Sequence, residues 1–181
     1  DSEGTKIGMG WPERFDVIKW IKLIISWEPN AQIILHGVSM GAATVLMASG
    51  EELPENVKVI IADCGYTSEW DEFKCEANAL HIPWFPVLNA ASVMSRLRDG
   101  YDFKQASALE QVKQSRIPTL FIHGSDDELV PYSMLDKLYS AAACEKECLT
   151  VNGAGHALSS SVEPELYWNT VESFIEKYLE K

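Results

Sequence analysis

Apolar residues fall into two alternating patterns along this chain. Phe15, Ile18, Ile21, Ile24 and Ile25 recur at helical spacing. Pro12 and Glu13 suit the first turn of that helix, and Pro29-Asn30 stops it. The short β-rich runs "QIIL" (32–35) and "VKVIIA" (57–62) follow, with a helix-length segment from Met40 to about Gly50 between them. "PTLFIH" (118–123) and "CLTV" (148–151) repeat the arrangement around a helical segment from about 132 to 143, and a last helix is predicted from Pro164 to about Leu179. Short apolar strands alternating with helices predict βαβ units: an α/β fold with a parallel sheet and helices on both faces.

One stretch breaks the alternation. Residues 66–114 contain no convincing sheet strand, yet Trp70, Phe73, Leu80, Ile82, Trp84, Phe85, Val87 and Leu88 make them aromatic and apolar. A connection that long has structure or function of its own. It reads as a small helical lid, with a pair of helices covering one sheet face as the plainer alternative.

At 181 residues the chain suits one domain, 1–181, with 66–114 as an insertion. No apolar run approaches the ~20 residues that span a bilayer, so the chain as given reads as soluble. The opening "DSEGTKIGMG" lacks the basic and apolar regions of a signal peptide. Twenty-seven acidic against fifteen basic side chains give a formal charge of −12, with the signs mixed along the chain. That field repels a phosphate backbone, so nucleic acid is not an expected partner, and an anionic membrane is hardly favoured. A neutral or cationic small molecule suits it better. Cys64, Cys75, Cys144 and Cys148 lack paired CxxC spacing, so no metal site is expected. They read as free thiols, with a Cys144–Cys148 bridge left open.

Candidate chemistry begins at Gly37-Val38-Ser39-Met40-Gly41. This G-x-S-x-G follows a predicted strand and opens a predicted helix, the sharp turn that exposes a serine above a sheet. A Cβ at Gly37 or Gly41 is expected to collide with a neighbouring strand or helix. The turn aims the Met40 N–H, at the positive end of a helix, where an oxyanion would form. A serine needs a base, and the base an orienting acid. His156, on the small-residue loop "NGAGHAL" after a strand, is the expected base. His36 and His123, each before a glycine at a strand end, read as structural, and His81 lies in the expected lid. "HGSDDELVP" offers Asp126, Asp127 and Glu128 as the acid, and Asp63 is a second possibility.

The order Ser39, Asp127, His156, with "GVSMG", "HGSDDELVP" and "GAGHAL", resembles the α/β-hydrolase superfamily. Within it the chain is most similar to bacterial serine hydrolases often labelled cell-surface or membrane-associated, and more distantly to dipeptidyl and prolyl oligopeptidase catalytic domains. Aligning His123, Gly124, Val130 and Pro131 with the usual acid loop selects Asp127. The resemblance implies a Ser39-Asp127-His156 triad acting through an acyl-enzyme on small or medium acyl esters, with no cofactor. Tyr66, Trp84 and Phe85 are candidate substrate contacts. A peptidase or amidase of the oligopeptidase type, or a non-catalytic binding module, is the alternative. The resemblance covers about the C-terminal two-thirds of the family fold, with "DSEG" at the end of a loop that follows an N-terminal block of strands. That block's loop carries the second oxyanion N–H, for which no candidate is visible here. The strand at Gln32–Leu35 is then expected to be covered by another copy or by a preceding segment, and an upstream membrane anchor is compatible with the family label.

Overall fold

A computed structural model describes residues 6–179. Its four strands are β1 (Ile33–Val38), β2 (Val57–Asp63), β3 (Thr119–Gly124) and β4 (Lys146–Val151). They form one wholly parallel sheet in the order β1-β2-β3-β4. The helices are α1 (Glu13–Trp27), α2 (Met40–Ala48), α3 (Glu69–Ala79), α4 (Trp84–Asp99), α5 (Ala108–Val112), α6 (Ser133–Ala141), α7 (Ser159–Val162) and α8 (Pro164–Glu176). The expected alternation is therefore present. The first and last strands are longer than their apolar runs suggest, since β1 continues through His36-Gly37-Val38 and β4 begins at Lys146-Glu147. Backbone pairing with β2 and β3 carries these polar or small residues into the ladder.

The two sheet faces carry separate cores. On one, Leu35, Ile60 and Phe121 pack with Ile21 of α1, Ala42, Val45 and Leu46 of α2, Val112 of α5 and Leu138 of α6. On the other, Val59, Ile61, Leu120 and Ile122 pack with Tyr167, Val171 and Phe174 of α8. Central strands are buried on both faces, which is why residues 59–62 of β2 and 120–122 of β3 are unbroken apolar runs, with polar residues only towards the strand ends. Helix α2 has no exposed side because neighbouring helices enclose it, and every residue from Ala42 to Ala48 is buried.

The helix α1 is less embedded than its spacing predicts. Ile21 and Arg14 are buried, whereas Phe15 faces outward against the Arg14 guanidinium. Residues 66–114 fold as α3, α4 and α5. The last of these returns to the sheet, where Ala108 and Val112 join the core beside α2. A bridge between Ser68 and Ser107 closes the base of the α3–α4 excursion.

Candidate active site

All four strands deliver a turn to the same end of the sheet, where their carboxyl ends lie. Ser39 follows β1 with φ 55° and ψ −119°, a left-handed backbone that few side chains adopt. Its N–H donates to the Asp63 carbonyl at 2.8 Å, and its carbonyl accepts from Ala43 N–H at 3.0 Å. The turn is thus held from both strand and helix. Gly37 is required here: a Cβ would come within 2.3 Å of the Gly41 backbone. The same expectation fails at Gly41, where an added Cβ meets nothing within 4 Å. Space at this turn is short on the strand side only.

The Ser39 hydroxyl lies 2.7 Å from His156 Nε2. His156 Nδ1 lies 2.8 Å from Asp127 Oδ2. A carboxylate only accepts, so Nδ1 carries the proton and Nε2 presents a lone pair to the serine hydroxyl. That is the geometry of a base poised to take a proton from Ser39. The three groups come from loops after β1, β3 and β4. Two of those loops touch closely, since a Cβ at Gly124 would sit 2.2 Å from the Ala154 carbonyl oxygen. Asp126 N–H also donates to Ala154 O at 3.0 Å.

Asp127 is fixed from several sides. Its Oδ1 accepts from the Leu129 and Val130 N–H groups at 3.0 and 2.9 Å. His123, fully buried, points Nε2 at the Val130 carbonyl (2.9 Å) and at Asp127 Oδ2 (3.3 Å). Both are acceptors, so His123 Nε2 carries its proton. Burial pushes the Asp127 carboxyl up, but the bonds from His123, His156 and the Val130 amide outweigh it and hold the group below the usual carboxylate range. His123 is thus a structural histidine with a task of its own, holding the Asp127 carboxylate.

The other candidates lie elsewhere. Asp126 accepts from Ser125 Oγ at the surface. Asp63 is buried and accepts from Ser159 Oγ at 3.2 Å; burial raises its carboxyl, partly offset by hydrogen bonds from Ser159 and Tyr167. His36 meets the Tyr167 hydroxyl at 3.0 Å on the outer strand, and His81 is exposed between α3 and α4. Met40 opens α2 directly after the serine. Trp84 packs edge-on against Trp70 and beneath the Lys74 ammonium, while Phe85 is 65% exposed. Tyr66 differs from its expectation: it is 1% exposed in the core and donates its hydroxyl to Met9 O at 2.8 Å, so it is a structural residue rather than an open substrate contact.

Sequence reasoning passed over Cys64 as one of four ordinary thiols. It sits fully buried after β2 with φ 48°, and its sulfur lies within 4.8 Å of donor atoms of Asp127 and His156. Two of those three groups already bond to each other, and burial pushes the Cys64 thiol up to about 12, far from nucleophilic near neutrality. Nothing in its local sequence separates it from a core cysteine. All four cysteines are free.

The sequence matches the prolyl oligopeptidase family over residues 12–181. Bacillus subtilis YqkD is 29% identical over 177 residues, a match covering 97% of this chain and 58% of that protein. Human α/β hydrolase domain-containing protein 17C is 29% identical over 106 residues, covering 57% and 32%. Among solved structures, the Pyrococcus furiosus esterase Pf2001 superposes with a TM-score of 0.75 at 19% identity, covering 98% of this chain and 66% of that one. The Pyrococcus horikoshii acylaminoacyl peptidase superposes with a TM-score of 0.73 at 17% identity, covering 96% and 29%. This chain therefore spans a little over half the length of YqkD.

Proposed function

This chain belongs to the prolyl oligopeptidase family and is a hydrolase of the α/β-hydrolase fold, and from that premise we propose a carboxylesterase-type reaction through an acyl-enzyme on Ser39. The observation that carries the reading is the continuous set of contacts from Ser39 Oγ to His156 to Asp127. Ser39 Oγ attacks the acyl carbon as its proton passes to His156 Nε2, and the carbonyl electron pair moves onto oxygen. Asp127 keeps Nδ1 protonated and stabilises the imidazolium. The Met40 N–H, at the N-terminus of α2, receives the oxyanion. Collapse of the tetrahedral intermediate expels the alkoxide, to which His156 returns the proton. Water then repeats the sequence on the acyl-enzyme and releases the carboxylic acid. Ser, His and Asp complete this proton balance among themselves.

The helical stretch 66–114 serves as the lid over this end of the sheet, with Trp84 and Phe85 as its aromatic contacts for substrate. A net charge of −12 and the apolar side chains of that stretch favour an uncharged acyl ester. Fluorophosphonate labelling with intact-mass readout tests the nucleophile: one adduct is expected, absent from Ser39→Ala. Hydrolysis of p-nitrophenyl acyl esters beside aminoacyl p-nitroanilides tests the bond cleaved. Faster turnover of the anilides would replace the esterase reading with a peptidase one.

A further inference from the structure

Helix α4 is amphipathic the wrong way round for a helix that faces water. Its buried positions are Leu88, Ser92 and Ser95, two of them hydroxyls. At about 100° per residue these three share one narrow face, and Val87, Ala90, Val93, Met94 and Leu97 centre on the opposite side. Those outward positions are exposed, with Val93, Met94 and Leu97 at 59%, 62% and 78%. Leu80, Ile82 and Phe85, just before or at the start of the helix, are exposed as well. The small polar face is well used: Ser92 Oγ accepts from Phe103 N–H and Ser95 Oγ donates to the Tyr101 carbonyl. The helix is therefore tied to the protein by its serines and presents its apolar side outward.

Charge selects the occupant. Residues 80–98 contain no aspartate or glutamate and two arginines, in a chain whose total is −12. Arg96 and Arg98 are exposed and lie on the two flanks of the apolar stripe at the same angular count. A stripe of Val, Met and Leu flanked by arginines matches the boundary of an anionic lipid layer, where the apolar side chains enter the acyl region and the guanidiniums reach phosphates. The one carboxylate on α4, Asp99 at its C-terminal end, is paired with Lys6 Nζ at 2.5 Å, so a second copy docking by the same face finds no unpaired carboxylate there for its arginines. Among the described residues no helix is long and apolar enough to cross a membrane. The repulsion of the distant acidic surface decays within about 8 Å at physiological salt, leaving the α4 face to decide.

We propose that the outward face of α4 over residues 87–98, with Leu80 and Ile82, forms a docking surface for anionic phospholipid membranes. This holds whichever bond the Ser39 site cleaves. The test is co-sedimentation of the protein with vesicles of phosphatidylglycerol in phosphatidylcholine and with vesicles of phosphatidylcholine alone. The wild type is expected to bind the anionic vesicles more tightly, and less so as salt rises. Val93→Ser/Met94→Ser/Leu97→Ser is expected to weaken partitioning by about tenfold or more. Arg96→Gln/Arg98→Gln is expected to remove only the preference for anionic vesicles. Both variants alter exposed side chains, and an unchanged thermal midpoint excludes misfolding as the cause. Equal binding by the triple variant, or no binding to either vesicle, overturns the proposal. Concentration-dependent dimerisation abolished by the triple variant, without vesicle binding, would assign the face to a second copy instead.

Discussion

Residue 39 joins a strained backbone to a relay of two side chains, and both can be tested one atom at a time. On the proposed mechanism Ser39→Ala removes the attacking oxygen, and ester hydrolysis is expected to fall by about 10⁴-fold or more, with KM little changed. Asp127→Asn cannot hold His156 in the same tautomer, so a large loss of kcat is expected there also. Asp127 adds a pH signature. Its folded carboxyl titrates below the usual range, so its contribution to stability is complete above the unfolded pKa and is lost as pH falls through the folded one. The glycines separate cleanly. Gly37→Ala drives a methyl into the Gly41 backbone and is expected to cost about 1–3 kcal/mol or more in urea unfolding. Gly41→Ala meets open space inside a helix and is expected to be neutral or stabilising by up to about 1 kcal/mol. Sequence pattern suggested equal constraint at both, because G-x-S-x-G does not say which side of the turn is crowded.

Helix α3 carries a cost that appears only once it is packed. Its first turn holds Glu69, Asp71 and Glu72, the usual acidic complement to a helix N-terminus, with Ser68 as the cap accepting from Asp71 N–H. Glu69 and Glu72, three apart on the inward face, are buried, and one oxygen of each has no hydrogen-bond partner. Burial, reinforced by Glu13 and Asp99, pushes the Glu69 carboxyl to about 8. Burial, with Glu76 and Asp127, pushes Glu72 to about 7. Both folded values lie above the unfolded one, so between about pH 4.5 and 8 the folded state binds more protons than the unfolded. Stability is therefore expected to fall as pH rises through that window, by up to about 1.4 kcal/mol per unit for each group. Urea midpoints of Glu69→Gln and Glu72→Gln should show a shallower decline and a gain at pH 8. A slope unchanged in both variants would place the titration elsewhere. Asp71 and the two glutamates look alike in sequence; only the packed helix distinguishes Asp71, half-buried and accepting from Thr67 Oγ1 at 2.6 Å, from the buried pair.

At the scale of the whole molecule, the described sheet pairs β1 with β2 alone and leaves the other edge of β1 unpaired. Val38 and Ile34 on that strand, and Trp20 and Trp27 on α1, are among the exposed large apolar side chains. An open edge of this kind is a template for strand addition. We propose that another copy or a further segment of chain pairs with it. Sedimentation velocity over a concentration series is expected to show association of this 181-residue chain, reduced in Ile34→Lys; a concentration-independent monomer would rule out another copy and assign the edge to a further segment.

Much of this molecule could be read without coordinates. The parallel α/β order followed from runs of apolar residues that only doubly buried strands require, and the positions of Ser39, Asp127 and His156 followed from motifs tied to strand ends. Local chemistry settles such features, because turn sterics and periodicity act over a few residues. Which groups become neighbours is another matter. The place of Cys64 beside Asp127 and His156 and the withdrawal of Tyr66 into the core depend on contacts between segments distant in sequence, while the support of Asp127 by His123 four residues before it, the orphaned carboxylates of α3 and the outward apolar face of α4 depend on how neighbouring segments fold and bury one another. Burial and hydrogen-bond partnership are properties of the assembled chain, so identical residue types take opposite roles that tertiary structure alone decides.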